Sequence, residues 1–325
     1  MNSPIYSIHV TGDSRARGRQ HGTLLRQPIE GAVGFYRWLF REYLHLDEGE
    51  IRRRASRFLD PTARLNPLLM EELQGIAEGS GQRLEDIVTL SARGEIAFES
   101  VALGECSNVF AGPGRTEAGH SLLGQNWDWR PEVMDFRAVI EAECSDMPDY
   151  VVVTECGQPG KYGLNEHGLG LAATSLNCRG LTSIGQQLAV SLGRRLLLSQ
   201  TVDEAAAVFH ANPPRATLSF LVADASGRAV DLGRITAPLF LIAGDLFDRA
   251  IPSTGAVDLF DDALVRLRDT GAVVVAISGN HDSASRAGFG DRLLSRAGVT
   301  VRSDPARLAD PVVVADARSG DGSGV

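Results

Sequence analysis

The spacing of apolar positions predicts that the first third of the chain is helical after one short strand. Residues 5–11 alternate between apolar and polar side chains, which predicts an opening strand. From there to about residue 100 the chain is predicted to be mostly helical, because apolar positions recur at three- and four-residue intervals in 24–46 and 67–78. Glu71 and Glu72 fall within the second stretch, and we expect both on a solvated helix face.

Short β-rich runs replace this helical spacing after Leu103. Between residues 106 and 178, brief apolar runs are separated by turn residues, which predicts several strands. A helix is predicted over 186–210, followed by strands over 215–223 and 228–232. This stretch of the chain is therefore predicted to hold an antiparallel β-rich layer and a further helix.

The pattern changes again at about residue 234. Residues 239–243 and 272–277 are continuous apolar runs, and helices are predicted over 254–269 and 284–297. Fully apolar strands that alternate with helices are typical of a parallel α/β sheet. The predicted divisions are a helical segment over 1–105, a β-rich segment over 106–233, an α/β segment over 234–315 and a disordered tail over 316–325.

Composition excludes several classes of protein. The 325 residues are 43% hydrophobic and carry a net charge of −9, a balance that argues against a general nucleic-acid surface. The sequence has no apolar run of about 18 residues that would span a membrane, and Met1–Pro4 lacks the features of a secretory signal. We therefore expect a cytoplasmic protein without membrane contacts, whose four cysteines are reduced.

Cys106, at the start of the first β-rich run, carries the first candidate chemistry. A cysteine that becomes a chain N-terminus can use its own α-amino group as the base, because that amine titrates near neutrality. Asp128 follows about twenty residues later, within Gly124–Trp129, and its carboxylate would hold the ammonium or orient the nucleophile. The alternative is that Cys106 is a buried structural thiol, the common role of a lone cysteine.

The motifs around Cys106 occur in a characteristic order. They are Gly18–Gly22, Glu71–Gly79, Asp86–Ile96, Glu105–Ser107, Gly124–Asp128 and Gly160–Gly168. Together they resemble, over residues 5–233, the isopenicillin N acyltransferase (acyl-CoA:6-aminopenicillanic acid acyltransferase) family of self-processing N-terminal-nucleophile hydrolases. The resemblance implies an αββα sandwich, incomplete in this chain, that uses no cofactor.

The resemblance also implies roles for single residues. The chain would cleave itself between Glu105 and Cys106, and Cys106 would then attack an amide or thioester carbonyl. Its partners would be a small-molecule acyl donor, an amide or an acyl-CoA, and an amine or water as acceptor. Asp128 would support the nucleophile, and Asn126 and Thr174 would support the oxyanion or the site around it.

The sequence departs from this family at three points, one of which is Thr174, where the family often has asparagine. Glu105 stands where the family often has glycine before the nucleophile. The asparagine and arginine that complete the family's site have no counterpart, because the sequence changes character at about Gly233. Loss of one oxyanion donor lowers an acyl-transfer rate on the order of 10²–10³-fold. The hypothesis is therefore an acyltransferase or amidohydrolase impaired by missing site residues.

A second group of polar residues follows the two apolar runs beyond residue 234. Gly244–Asp248 reads Gly-Asp-x-x-Asp, and Gly279–Asp282 reads Gly-Asn-His-Asp. Polar groups at the carboxyl ends of adjacent parallel strands converge on one crevice, and two-metal sites need oxygen and nitrogen ligands of these types. Residues 238–303 resemble the calcineurin-like metallophosphoesterases, in particular the D subunit of the SbcCD exonuclease.

This second resemblance implies a partial metal site within a partial metallophosphoesterase-like α/β segment. Asp245, Asn280 and His281 would bind Mn²⁺ or another divalent metal, with Asp248 supporting them. The family's Asp-x-His on its first strand is missing, and no histidine follows His281. Two alternatives to the acyltransferase therefore stay open. One is a metal-dependent phosphoesterase or DNA exonuclease fragment, with DNA as its partner. The other is a catalytically silent chimera of the two families.

Overall fold

The computed structural model describes residues 5–97, 106–175, 187–212, 218–233, 239–247, 249–269, 271–307 and 309–312. The chain divides into two compact units, Met1–Arg234 and Ile235–Val325. Glu105, Asp248 and the predicted tail 316–325 lie outside the described residues. Across the ranges given above, no helix is long and apolar enough to cross a membrane.

The first unit begins with a strand and a run of helices, as the apolar spacing predicts. The elements are β1 (Tyr6–Gly12), α1 (Ser14–Leu24), α2 (Arg26–Leu44), α3 (Glu48–Ser56), α4 (Leu59–Leu65), α5 (Pro67–Ser80), α6 (Leu84–Ser91) and α7 (Arg93–Ala97). Helix α5 shows why its sequence forms a helix at this position. Asn66 caps it by accepting a hydrogen bond from the backbone N–H of Leu69, and Gly81 ends it in the left-handed conformation at φ 75°.

Glycines bring α1 and α5 into unusually close contact. A Cβ atom on Gly18 would overlap the carbonyl oxygen of Glu72, and one on Gly79 would overlap that of Arg19. No side chain fits in such a space, because the two backbones themselves are in contact. The glycine motifs of these two helices therefore have a packing role.

A seven-stranded sheet follows in the first unit, in the order β1-β4-β5-β6-β7-β8-β9. Its later strands are β4 (Arg137–Cys144), β5 (Tyr150–Glu155), β6 (Tyr162–Asn165), β7 (Leu169–Ser175), β8 (Leu218–Asp224) and β9 (Ala229–Gly233). Strand β1 pairs with β4 in parallel, and the remaining neighbours pair antiparallel. A separate antiparallel pair is formed by β2 (Cys106–Ala111) and β3 (Leu122–Trp127).

The predicted single helix over 186–210 is wrong in one respect. The described residues form two helices there, α8 (Ala189–Leu197) and α9 (Val202–Ala211). Thr201 causes the break, since its side chain accepts a hydrogen bond from the N–H of Glu204 and so caps a new helix. An N-cap signal inside an apolar run is easily missed when only the spacing is followed.

His21 of α1 is buried in the core of the first unit and makes its stability depend on pH. Its Nε2 accepts a hydrogen bond from the backbone N–H of Gly157 at 3.1 Å, and burial lowers its pKa to about 4 from 6.5. As the pH falls from 6.5 to about 4, the imidazole therefore takes up a proton in the unfolded chain but not in the folded chain. The stability from the neutral ring is fully present above the unfolded pKa and is lost as the pH falls toward the folded one.

We expect the free energy of unfolding of the first unit to fall by about 3 kcal/mol between neutral pH and about pH 4. Urea titrations at a series of pH values measure it. His21→Gln should remove most of this fall, whereas His210→Gln, at an exposed position of α9, should leave it unchanged. An undiminished fall in His21→Gln would show that other groups cause it.

The second unit is a small parallel sheet, as the continuous apolar runs predict. Its strands β10 (Leu239–Ala243), β11 (Val273–Ile277) and β12 (Val299–Arg302) pair in that order, and both pairs are parallel. Helix α10 (Thr254–Asp269) follows β10 along the chain, and its Leu264 belongs to a core shared with Val274 and Val299. The described chain is thus a mixed α and β structure with several sheets.

The predicted helix over 284–297 is also interrupted. It consists of two short helices, α11 (Ala284–Ala287) and α12 (Asp291–Leu294), and a 3₁₀ turn over Ser295–Ala297. Gly290 lies between the helices at φ 77°, in the left-handed region that ends a right-handed helix. The amphipathic spacing indicates helix correctly, but the glycine divides it.

Candidate functional site

The β2–β3 pair places Cys106 at the beginning of one strand, directly opposite Trp127 at the end of the other. Directly opposed residues of an antiparallel pair have their side chains on the same face. Cys106, Asn108 and Phe110 are half-buried, whereas Ser107 and Val109 between them are exposed. Cys106 therefore belongs to the inner face of this hairpin.

The inner face of the hairpin rests on strand β7. Gln125 of β3 accepts a hydrogen bond from the backbone N–H of Ala173 at 3.2 Å. A Cβ atom on Gly170 would lie 3.0 Å from the Leu123 side chain, so the hairpin also touches the sheet at that point. Cys106 consequently lies on the side of the hairpin that faces the seven-stranded sheet.

The three predicted companions of Cys106 are placed differently. Asp128 directly follows β3 and is exposed. Asn126 is opposite Ser107 in the hairpin and is exposed on its outer face, away from the Cys106 side. Thr174 alternates with Ala173 along β7, and since Ala173 belongs to the core beneath the helices, Thr174 is on the hairpin side. The structure therefore brings Thr174, but not Asn126, to the side of Cys106.

A buried polar network holds the chain immediately after Asp128. The indole N–H of Trp129 donates to the Tyr36 hydroxyl at 2.8 Å, and that hydroxyl donates to Glu155 at 2.7 Å. Arg93 pairs with Glu155 at 2.6 Å and lies 5.3 Å from the centre of the Trp129 ring. Burial and the neighbouring Glu155 carboxylate raise the pKa of Tyr36 well above its usual range, so its hydroxyl keeps its proton.

The sequence patterns do not reveal this network. Arg93 lies inside one of the motifs quoted above, but a charged residue in a helix motif is normally taken as solvated. Tyr36 and Glu155 come from helix α2 and strand β5, far apart along the chain. Only the three-dimensional arrangement joins them, and no pattern in the sequence pairs them.

In the second unit, Asp245 and His281 meet at the carboxyl ends of β10 and β11. The backbone N–H of His281 donates to one Asp245 carboxylate oxygen at 2.9 Å, and the His281 Nδ1 lies 3.7 Å from the other. A Cβ atom on Gly279 would overlap the Asp245 carboxylate, so only glycine fits there. The prediction that these two loops converge is confirmed for Asp245 and His281.

Asp282 has a clear role that the sequence did not reveal. Its carboxylate accepts hydrogen bonds from the backbone N–H groups of Leu246 at 2.8 Å, Phe247 at 2.9 Å and Gly279 at 2.8 Å. One side chain thereby ties the loop after β10 to the loop after β11. The final aspartate of the Gly-Asn-His-Asp motif stabilises the loops that carry Asp245 and His281.

The residues of this second site do not fit a two-metal centre. Within the described ranges, no three His, Cys, Asp or Glu side chains are grouped so that they could hold a metal ion. Asp245 and His281 supply two such groups, with Asn280 between Gly279 and His281 along the chain. Such a centre needs a larger set of ligands around both ions, so the described residues support no reaction step through a metal.

Comparison with known proteins confirms both resemblances, each over a portion of the chain. The family of acyl-coenzyme A:6-aminopenicillanic acid acyl-transferases matches residues 115–232, and the calcineurin-like phosphoesterases match 221–314. The first match includes Asp128 and begins after Cys106. The two overlap at 221–232, within the β8–β9 region of the first unit.

Individual relatives agree with this division. The acyl-coenzyme A:6-aminopenicillanic-acid-acyltransferase 40 kDa form of Emericella nidulans is 28% identical over 197 residues, which are 60% of this chain and 54% of that protein. The D subunit of nuclease SbcCD from Staphylococcus epidermidis is 31% identical over 75 residues, and that from Staphylococcus saprophyticus is 29% identical over 77. The chain thus spans about half of the acyltransferase and 20% of each of the two nuclease chains.

Proposed function

We propose that the first unit is a cysteine acyltransferase or amidohydrolase of the N-terminal-nucleophile class, with Cys106 as the nucleophile. The observation that carries this proposal is the position of Cys106 on the inner face of the hairpin, with Asp128 just beyond its cross-strand partner Trp127. A sheet with the hairpin against one strand also supports an incomplete αββα sandwich.

The proposed reaction starts with self-cleavage between Glu105 and Cys106. The Cys106 sulfur attacks the Glu105 carbonyl carbon, the C–N bond breaks, and the nitrogen takes up a proton to become the free α-amine. Water then hydrolyses the resulting thioester and leaves a carboxylate on Glu105. The new α-amine is the base that the nucleophile needs, since it titrates near neutrality.

Acyl transfer would use the same sulfur. The α-amine takes the thiol proton, the thiolate attacks the carbonyl of an amide or acyl-CoA, and the leaving amine or thiol takes up that proton. Water or an amine then attacks the acyl thioester and restores the thiol. Asp128 would hold the ammonium form, and Thr174 is the better placed oxyanion donor, because Asn126 is on the outer face of the hairpin.

Acylation of Cys106 tests this proposal directly. After incubation with octanoyl-CoA, we expect an octanoyl adduct on the Cys106 peptide, found by mass spectrometry and removed by hydroxylamine. Cys144 is the internal control, because burial raises its pKa to about 11 and keeps it a weakly nucleophilic thiol at neutral pH. Cys144→Ala should be acylated as fully as the wild type. Equal labelling of Cys106 and Cys144, or none at Cys106, would contradict the proposal.

For the second unit we propose a catalytically silent phosphoesterase-like fold rather than an active metal-dependent phosphoesterase or DNA exonuclease. One Asp245 carboxylate oxygen already accepts the N–H of His281, and no three His, Cys, Asp or Glu side chains of the described residues are grouped so that they could hold a metal ion. Asp245, Asn280 and His281 would then be the portion of a Mn²⁺ site that this sequence retains.

Adding Mn²⁺ distinguishes these alternatives. We expect millimolar MnCl₂ to produce no hydrolysis of bis-p-nitrophenyl phosphate above that of Asp245→Ala, and to leave the thermal unfolding midpoint of each protein where it is without the metal. Stoichiometric Mn²⁺ binding by calorimetry, with phosphodiester hydrolysis that Asp245→Ala abolishes, would instead establish the phosphoesterase. Asp262→Ala, at an exposed position of α10, controls for a general effect of removing an acidic side chain.

A further inference from the structure

The outward face of α2 consists of Glu30, Gly31, Gly34, Trp38 and Arg41, all of which are exposed. The helix buries its opposite side in the core of the first unit. Trp38 is 39% exposed, although it is the largest side chain of the helix. A partner that covers this face would remove its apolar surface from water, which is favourable. The outward face of α2 is therefore a candidate interface.

The Trp38 ring does not cover Gly34, which lies one turn before it on the same helix. It packs instead against Phe35 and Tyr43, and its centre is 5.9 Å from that of each of these two rings. A Cβ atom on Gly34 would meet nothing within 4 Å, so the space above this glycine is open. The face thus carries an aromatic ring that two other rings hold in place and, one turn away, a gap without a side chain.

Two copies of this helix would fit together in antiparallel orientation. A two-fold axis at the level of Tyr36 brings Trp38 of each copy opposite the partner's Gly34, because the two residues are equally far from that level along the helix. Each ring then fills the gap above a glycine of the other copy. The same contact forms twice, as a two-fold interface requires.

The charges on this face are complementary in the same arrangement. At about 100° per residue, Glu30 and Arg41 lie on the same flank of the face, within about 40° of the direction of Gly34. They lie at nearly equal distances before and after Tyr36, so the antiparallel pair brings each Arg41 guanidinium close to the partner's Glu30 carboxylate. Glu42, which binds Arg41 at 3.2 Å, lies on the opposite flank, about 80° from Gly34. Two identical ion pairs would therefore flank the two tryptophan contacts.

We propose that the outward face of α2 binds a second copy of this chain through an antiparallel pair of α2 helices. The proposal does not depend on the proposed function, because the residues of this face have no role in that reaction. One helix pair buries less than the roughly 1,200 Å² at the lower end of stable specific interfaces. We therefore expect a reversible dimer with a dissociation constant of roughly 10–100 µM.

Sedimentation velocity of the full chain, at concentrations from about tenfold below to about tenfold above this range, measures the dimer. We expect the average mass to rise with concentration from 34.8 kDa toward twice that value. Cys106→Ala should associate like the wild type, which separates this result from the chemistry at Cys106. A wild-type chain that stays monomeric throughout would overturn the proposal.

Filling the gap above Gly34 tests the geometry. Gly34→Gln should abolish dimerisation, because its side chain occupies the space that the partner's Trp38 enters. It should not lower the free energy of unfolding, since that space is open and glycine is the poorer helix former. Gly255→Gln on α10 is the matched control, because a Cβ atom there also meets nothing within 4 Å, and it should dimerise like the wild type. Dimerisation of Gly34→Gln as strong as that of the wild type would overturn the proposal.

Two further sets of variants test the ring and the charges. Trp38→Ala should weaken dimerisation about tenfold or more, whereas Phe289→Ala, at an aromatic residue that is 86% exposed, should not. Glu30→Arg and Arg41→Glu should each weaken it about threefold or more, and the two combined should restore most of the loss, because the pair is then reversed. Equal effects of Trp38→Ala and Phe289→Ala, or a double variant weaker than either single one, would refute the antiparallel arrangement.

Discussion

Replacing Cys106 with alanine is expected to leave the chain in one piece and to abolish acyl transfer. The proposed cleavage needs the Cys106 sulfur as its nucleophile, and acyl transfer needs both that sulfur and the α-amine that cleavage releases. Removing a catalytic nucleophile lowers rates on the order of 10⁶-fold in a well-studied hydrolase, so both reactions should fall below detection. Gel electrophoresis and the octanoyl-CoA assay measure the two effects.

The remaining described cysteines serve as controls for this result. Cys144→Ala and Cys156→Ala should be cleaved and acylated like the wild type, because burial raises the pKa of both thiols, to about 11 and about 12. Fragments of unchanged size from Cys106→Ala would show that a contaminating protease, or another residue of this chain, cuts the polypeptide.

Replacing Arg93 with methionine is expected to lower the free energy of unfolding of the first unit by about 3–5 kcal/mol. The Glu155 carboxylate is fully buried, so the substitution leaves its charge without a cation. It also removes the guanidinium from beside the Trp129 ring, which lies one residue after Asp128. Urea titration followed by tryptophan fluorescence measures the change.

A second substitution and an exposed ion pair make this prediction specific. Glu155→Gln combined with Arg93→Met should recover some of the loss, because no unpaired charge is then buried. Arg228→Met breaks the exposed pair with Asp203 and should leave the unfolding midpoint almost unchanged, since solvent screens that pair. Equal losses from Arg93→Met and Arg228→Met would mean that the buried network contributes little.

Much of the fold could be predicted from local patterns. Helices that bury one face show it in their apolar spacing, and the parallel strands of the second unit appear as the continuous apolar runs 239–243 and 272–277. The apolar runs predict the strands but not their burial, since Leu241 of β10 is exposed whereas Val274 and Ala276 of β11 are buried. The interruptions were harder to predict. Thr201 and Gly290 each divide a predicted helix, because a single capping or left-handed residue outweighs the surrounding periodicity.

Buried charged residues are the ones that polarity alone predicts wrongly. The pattern places Glu72 on a solvated helix face together with Glu71, yet Glu72 is buried and pairs with Arg194 at 2.9 Å. Arg93 and Glu155 are likewise charged residues that are buried and paired with each other. A charged side chain looks solvated in a sequence, and only contacts between distant segments reveal a partner that makes its burial tolerable.

For the candidate site, the sequence indicates which residues belong to it, and the structure shows on which face of the hairpin they lie. Motif order alone indicates Cys106 and Asp128 as site residues. It does not show which face of the hairpin meets the sheet, because that depends on pairing between strands and not on residue type. The register of the β2–β3 pair puts Asn126 and Cys106 on opposite faces of the hairpin. The alternation of side chains along β7 puts Thr174 on the side of the sheet that the hairpin covers.

The intact mass of the purified wild-type chain tests the central claim, that Cys106 becomes the N-terminus of a separate chain. We expect two fragments in equal amounts, with the second beginning at Cys106 when its N-terminal sequence is determined. A single species at 34.8 kDa, with no fragment that begins at Cys106, would contradict it.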